Sequence, residues 1–316
     1  ITRAVSGLTP LPLDPLWQWG GQLMRDSGLG ADDGRYSRKN SIVEHDLSGQ
    51  LAVSYPLRDN LLGYVSWAQG YKAGGINLDV VGPYAAPTFG SEKVNSYEAG
   101  LKSSFWDGRM LLDLAIYQAE VDGYQALTNS RPADQYAPPL RDNLVNVGKV
   151  RLRGVEVDAL LRASERIDLR LGVAWSDARY RDFSNAPCKP GNAQLSCDLS
   201  GNRLFNAPEW SVTAGVDYVR PLGGGFEGFS GVDYSFRSGY YGTLEAGSGG
   251  YQPSYGITNV KVGLRRENRR WEMELWSRNL FNRQYITAVF AALGEGDYGV
   301  VAGDPRSAGL TLRTRL

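Results

Sequence analysis

From Asp46 to the last residue, apolar and polar side chains alternate with a period of two, segment after segment. The first segment sets Leu47, Leu51, Val53 and Tyr55 against Ser48, Gln50, Ala52 and Ser54. After the polar turn PLRDN a return segment carries Leu61, Val65 and Trp67 on one face, then enters the Gly-rich string QGYKAGGIN and a loop to about Ser91. Period-two alternation predicts half-buried β-strands. The unit of strand, short turn, strand and long loop then recurs. Strands are predicted near 93–104 and 110–121 (joined by WDGR), 151–162 and 167–177 (ASER), 210–219 and 226–237 (PLGGG), and 256–265 and 271–280 (ENRR). A loop is predicted from the end of the 110–121 strand through about residue 149, where Pro132, Pro138 and Pro139 argue against a central strand. The closing string DPRSAGLTLRTRL sets Ala308, Leu310, Leu312, Thr314 and Leu316 against Gly309, Thr311, Arg313 and Arg315.

Counted this way the chain holds about eleven antiparallel strands, with every connection on one side short and every one on the other long. Outer-membrane barrels sort their loops in this manner. The faces point to the same solvent pair. Ile167, Leu169, Leu171, Val173 and Trp175 oppose Asp168, Arg170, Gly172 and Ser176, and Trp210, Val212, Ala214, Val216 and Tyr218 oppose Ser211, Thr213, Gly215 and Asp217. Val155, Val157, Ala159 and Leu161 likewise oppose Gly154, Glu156 and Asp158. A charge held at mid-bilayer costs about 2 to 4 kcal/mol, which accounts for a nearly charge-free face. One segment breaks the rule on this reading: Asp113 shares a face with Ala115 and Tyr117.

Composition narrows the classes. Hydrophobic residues make up 42% and no run of about 18 apolar residues occurs, which excludes a helical membrane protein. Eighteen Tyr, eight Trp and 39 Gly suit a strand-rich protein with aromatic girdles. The 34 acidic and 34 basic residues balance and do not cluster, so no nucleic-acid partner is indicated. Residues 1–45 lack a sustained period and read as a long loop. The sole His45, flanked by Glu44 and Asp46, stands outside any G-x-S-x-G or H-E-x-x-H string, so no enzyme, no metal site and no bound cofactor is predicted. Cys188 and Cys197 lie in the Gly/Pro/Asn-rich string CKPGNAQLSC; they would form a disulfide in an exported protein and two free thiols in a reducing compartment.

Six strings, in order, resemble landmarks of the C-terminal half of a TonB-dependent outer-membrane receptor: YVSWAQGYKAGGIN, FGSEKVNSYEAGLKSSF, NVGKVRLRGVEVDALL, GNRLFNAPEWS, WSRNLFNRQY and GDPRSAGLTLRTRL. The resemblance runs from residue 46 to the C-terminus and implies an all-β antiparallel transmembrane barrel of about 22 strands with a plugged lumen, of which the eleven strands here form half. It implies an outer-membrane location in a Gram-negative bacterium and residues 1–45 as an extracellular loop region. The partners it implies are outer-membrane lipid, a plug domain, an N-terminal barrel half, and TonB, engaged through a preceding segment. The implied activity is active uptake of a scarce ligand, with a ferric siderophore as the family default; a carbohydrate or other nutrient, or a passive porin, are the alternatives. Where the family ends in an aromatic residue, this chain ends in Leu316.

On this basis Glu98 and Glu156 are candidate wet-face carboxylates, facing either plug arginines or simply solvent and barrel ion pairs, with Arg278, Arg306, Arg313 and Arg315 as candidate cationic partners. Tyr84, Tyr136, Tyr240, Tyr241, Tyr251 and Tyr298 fall on the long-loop side, where aromatic rings with hydroxyl tips suit a chelate or a sugar and also suit an interfacial girdle.

Overall fold

A computed structural model of the chain describes residues 41–77, 87–130, 141–184, 186, 188, 192, 194, 197–244, 248–291 and 298–315. Eleven strands form one antiparallel sheet in which each strand pairs with its neighbours in sequence. They are β1 (Gly49–Arg58), β2 (Leu61–Lys72), β3 (Glu92–Phe105), β4 (Met110–Ser130), β5 (Arg141–Ser164), β6 (Ile167–Asp182), β7 (Trp210–Gly223), β8 (Phe226–Arg237), β9 (Tyr255–Arg266), β10 (Trp271–Arg278) and β11 (Ser307–Thr314). The connections β1–β2, β3–β4, β5–β6, β7–β8 and β9–β10 are two to four residues long, whereas those alternating with them take ten to 28. Antiparallel order therefore puts all short turns at one end and all long connections at the other. The β7–β8 turn uses the residues it needs: Gly223, Gly224 and Gly225 all have positive φ, a region open mainly to glycine; in the β3–β4 turn Gly108 does the same, while Trp106 and Asp107 are held there without that freedom.

Register shows why the faces separate. Directly opposed residues of an antiparallel pair point to the same side. Val155 pairs with Ile116 and Trp175, Val157 with Leu114 and Val173, and Ala159 with Leu112 and Leu171. The row continues from Leu171 to Ala214, then Tyr234, and from Val216 through Val232 to Val260. Leu275 joins Val262 to Leu310, and Met273 joins Leu264 to Leu312. The side chains of this face are half-buried to exposed, and on the same face Val65 is 57%, Ile116 55%, Leu275 55% and Leu312 66% exposed. An apolar face spread across eleven strands far exceeds what a protein leaves in water, and matches the lipid-facing band of a membrane barrel. On β6 the band runs from Ile167 to Trp175, eight steps of about 3.3 Å, or roughly 26 Å along the strand. Among the described residues no helix is long and apolar enough to cross a membrane; the crossing elements are strands.

Register also resolves the odd segment in β4. Its lipid face is Met110, Leu112, Leu114 and Ile116, whereas Asp113, Ala115 and Tyr117 oppose Asp158, Glu156 and Gly154 on the wet face. Asp113 thus has no lipid to avoid.

Two readings of the pattern are corrected. The expected loop through residue 149 is instead a continuation of the β4–β5 hairpin, whose pairing runs from Met110↔Leu161 to Ser130↔Arg141. Beyond the lipid the ladder is sustained by its backbone bonds and by Ala126 and Val147, which are buried there; Pro132, Pro138 and Pro139 lie outside the described residues. Likewise Gln69–Lys72 belong to β2, not to a loop. The stretch ahead of the last strand contains a hairpin of its own, Ile286–Ala291 with Tyr298–Ala302.

Candidate functional site

The wet face is a lattice of short polar contacts. Tyr64 donates its hydroxyl hydrogen to Glu98 Oε1 at 2.8 Å, and on the next strands Tyr117 Oη lies 3.4 Å from Ser176 Oγ. Glycines make room for these rings: a Cβ on Gly154 would sit 2.6 Å from Tyr117 Oη, and one on Gly100 2.5 Å from Tyr64 Cε1. This explains the glycines of SYEAG and RGVEV on a face that is otherwise polar. Farther round, Lys102 pairs with Asp113 at 3.2 Å, Arg170 bridges Asp217 and Asp233, the latter at 2.9 Å, and Lys261 reaches Asp217 at 3.0 Å. Arg265 pairs with Glu227 at 2.8 Å, and Arg313 with Glu272 at 2.5 Å and Glu274 at 3.9 Å. Asp158, Arg170, Thr213, Asp233 and Asn259 line a groove in this wall.

Among the predicted charges, Glu98 is held by Tyr64, and Glu156 shares its face, opposed to Ala115 and Ala174. The Arg278 guanidinium lies over the Trp276 ring, 5.0 Å from its centroid. Arg306 donates its backbone N–H to Asn282 Oδ1 at 2.9 Å, and Arg315 its backbone N–H to the Arg270 carbonyl at the short-turn end. The structure therefore does not gather the arginines into one cluster. His45 is exposed ahead of β1, and among the described residues no three His, Cys, Asp or Glu side chains are grouped to hold a metal ion.

At the long-loop end, the structure brings four of the six predicted tyrosines together. Tyr240 and Tyr241 pair with Gln252 and Tyr251, and the Tyr241 and Tyr251 rings lie 5.1 Å apart. A Cβ on Gly249 would touch the Tyr298 ring at 2.5 Å, so the Ile286–Ala302 hairpin packs on this one. Gln252 Oε1 accepts from the Ile286 N–H at 2.6 Å, and Tyr240 donates to the Ile286 carbonyl at 3.5 Å. Burial pushes the Tyr240 hydroxyl pKa up, which keeps it a donor. Tyr255 and Tyr285 add a stacked pair, ring centroids 4.7 Å apart, that the sequence reading did not single out. Tyr84 and Tyr136 lie outside the described residues.

Side-chain amides, buried at Gln125, Asn77 and Asn279 and exposed at Asn146, anchor these loops. Gln125 Nε2 donates to the carbonyls of Ala73 at 2.9 Å and Gly90 at 3.1 Å, while its N–H donates to Glu92 Oε2 at 2.8 Å. Asn146 clamps Gly90 through both amide atoms and also reaches the Gly123 carbonyl at 2.7 Å. Asn77 pairs with the Leu144 backbone in both directions. Asn279, at φ 48°, accepts from the Arg283 N–H and donates to the carbonyls of Arg283 and Asp304. The strings QGYKAGGIN, FGSEKVN, NVG, NLFN and GDPRS are thus joints between loops and the sheet. Beneath them Val121, Val147, Val150, Tyr180, Phe183, Leu199 and Leu244 form a buried apolar cluster. A disulfide joins Cys188 and Cys197 in the connection that contributes Phe183 and Leu199 to this cluster.

An antiparallel sheet with a lipid-facing band, a wet face of ion pairs and elaborated loops at one end only defines the wall of a membrane β-barrel. The chain belongs to the TonB-dependent receptor family: the family described as TonB dependent receptor-like, beta-barrel, matches residues 16–280. The match begins thirty residues ahead of Asp46, within the segment read as a loop. The ferric-pyoverdine M114 receptor PbuA of Pseudomonas sp. (strain M114) is 23% identical over 258 residues, 81% of this chain and 28% of that protein. A pesticin receptor of Yersinia enterocolitica is 30% identical over 280 residues, 83% of this chain and 34% of the relative. The solved ferric yersiniabactin uptake receptor FyuA from Yersinia pestis superposes with a TM-score of 0.67 at 21% identity, over 84% of this chain and 37% of that one. The chain thus spans about a third of the length of the relatives it matches.

Proposed function

We propose that this chain forms part of the barrel wall of an outer-membrane receptor that takes up a ferric siderophore in a TonB-dependent manner. The family match over residues 16–280 carries the reading, and the names of the relatives, receptors for ferric pyoverdine and ferric yersiniabactin, supply the ligand class. β1 and β11 each have one neighbour in the sheet, and lipid does not tolerate unpaired backbone edges, so further strands close this wall around a plugged lumen. The long loops face outward from the cell and offer Tyr240, Tyr241, Tyr251 and Tyr298 to the chelate, with hydroxyl tips as donors and ring faces as apolar contact. The polar wet face, with Glu98, Glu156, Arg278 and Arg313, faces the plug and the passing ligand. Energy comes from the inner-membrane proton gradient through TonB, with no covalent chemistry.

Tryptophan-fluorescence titration of the full-length protein with a ferric hydroxamate or ferric catecholate chelate tests the ligand class. Saturable quenching that weakens at least fivefold in Tyr241→Ala/Tyr251→Ala supports it. Equal response to the iron-free chelator, or no response to any ferric chelate, overturns it.

A further inference from the structure

Where the lipid-facing rows of β4, β5 and β6 leave the apolar band, they become charged. Past Ile116 the row reads Gln118, Glu120 and Asp122; before Val155 it reads Lys149, Arg151 and Arg153; past Trp175 it reads Asp177 and Arg179. These rungs continue the lipid face on the long-loop side. Arg153 lies two residues from Val155, about 7 Å along the strand. The polar headgroup layer of a bilayer is about 5–8 Å deep on each side, so the guanidiniums stand at its level.

The charges there do not balance locally. Asp177, 7% exposed at its side chain, is shared by three guanidiniums: Arg153 at 3.0 Å, Arg179 at 2.5 Å and Arg151 at 3.7 Å. Three neighbouring acids are engaged by other cations: Glu120 and Asp122 by Lys149 at 3.8 and 3.2 Å, and Glu209 by Arg203 at 2.5 Å. Arg151 Nε is buried without a hydrogen-bond partner. Arg153 uses Nε and Nη2 on Asp177, and Arg179 uses Nε there and Nη1 on the Gly201 carbonyl, so both guanidiniums keep donor capacity. Guanidinium forks match phosphate oxygens, and a surplus of cations level with the headgroups attracts anionic lipid.

We propose that Arg151, Arg153 and Arg179 form a docking site for the phosphate of an anionic lipid in the leaflet on the long-loop side. The site continues the lipid-facing band and is complementary to the headgroup in charge. Its orientation rests on the membrane reading above and not on the identity of the transported ligand.

Native mass spectrometry of the full-length protein in detergent, titrated with lipid A as a phosphorylated glycolipid and with its dephosphorylated form, tests the site. The variant Arg153→Gln/Arg179→Gln/Asp177→Asn removes two cations without stranding the buried carboxylate. Its affinity for lipid A should fall at least tenfold, roughly what loss of one charge-assisted bond gives, with binding of the dephosphorylated form unchanged. Arg153→Lys/Arg179→Lys should retain most of the affinity. Equal lipid A affinity in the charge-removed variant overturns the site. So does competition by millimolar inorganic phosphate, which would make it a free-anion site. Ferric-chelate binding, followed on the same preparations, separates failure of this inference from failure of the uptake reading.

Discussion

Replacing Leu171 by Arg puts a guanidinium on the lipid face at the centre of the β6 row. Leu171 opposes Ala159 on β5 and Ala214 on β7, and it stands four residue steps from each end of the Ile167–Trp175 row. Each end is therefore about 13 Å away along the strand, and a side chain that extends about 7 Å cannot reach either headgroup layer. The cost of a cation at such a depth is about 2–4 kcal/mol, or roughly a 30- to 1,000-fold loss in the folding equilibrium. Thr213, which opposes Gly172 one rung away, faces the groove lined by Asp158 and Asp233. Thr213→Arg there adds a cation among carboxylates and should change stability by less than about 1 kcal/mol. Denaturant unfolding in lipid vesicles, followed by tryptophan emission, gives both values. Equal stability of Leu171→Arg and the parent, or an equal loss in Thr213→Arg, would refute the assignment of faces.

Three other consequences can be checked. Gln125→Leu removes the donor to the Ala73 and Gly90 carbonyls and should cost about 1–3 kcal/mol, read as faster amide exchange in residues 73–77 and 87–92 with β8–β10 unaffected. The Arg203 hydrogen bond holds the Glu209 carboxyl below the usual carboxylate range, so its contribution is complete above the unfolded-state pKa and is lost as pH falls through the lower folded-state value. Limited proteolysis of the β6–β7 connection should accelerate on acidification, and Glu209→Gln should be fast already at neutral pH; a flat profile in the parent would refute the link. Thiol alkylation of the denatured protein should label neither Cys188 nor Cys197 until reductant is added, and labelling of both beforehand would remove the disulfide.

Most of the wall is legible in the sequence because a bilayer allows only one side-chain class on one face of every strand. Ile167–Trp175 and Trp210–Tyr218 are read directly from that constraint, and the short turns follow from residues such as the glycines at 223–225. Beyond the lipid the constraint ends. Asp122–Ser130 and Arg141–Lys149 extend their strands with mixed polar residues and so look like loop. The face of Asp113 is settled only by its pairing with Asp158, since a Met-Leu-Leu-Asp-Leu run offers apolar residues to both sides. The amide anchors were illegible for another reason: Gln125 acts on Ala73 and Gly90, and Asn77 on Leu144, across separations of 35 to 67 residues. The Tyr241–Tyr251 pairing follows from a two-residue strand pair too short to carry a pattern, and the convergence of three guanidiniums on Asp177 depends on the β5–β6 register.

Uptake of a radiolabelled ferric siderophore by cells expressing the full-length protein, with and without a protonophore and in the presence or absence of TonB, tests the central claim most directly. Saturable uptake that collapses when either the proton gradient or TonB is removed is the predicted result. Uptake that persists without both, rising linearly with ligand concentration, would contradict it and leave a passive diffusion barrel in its place.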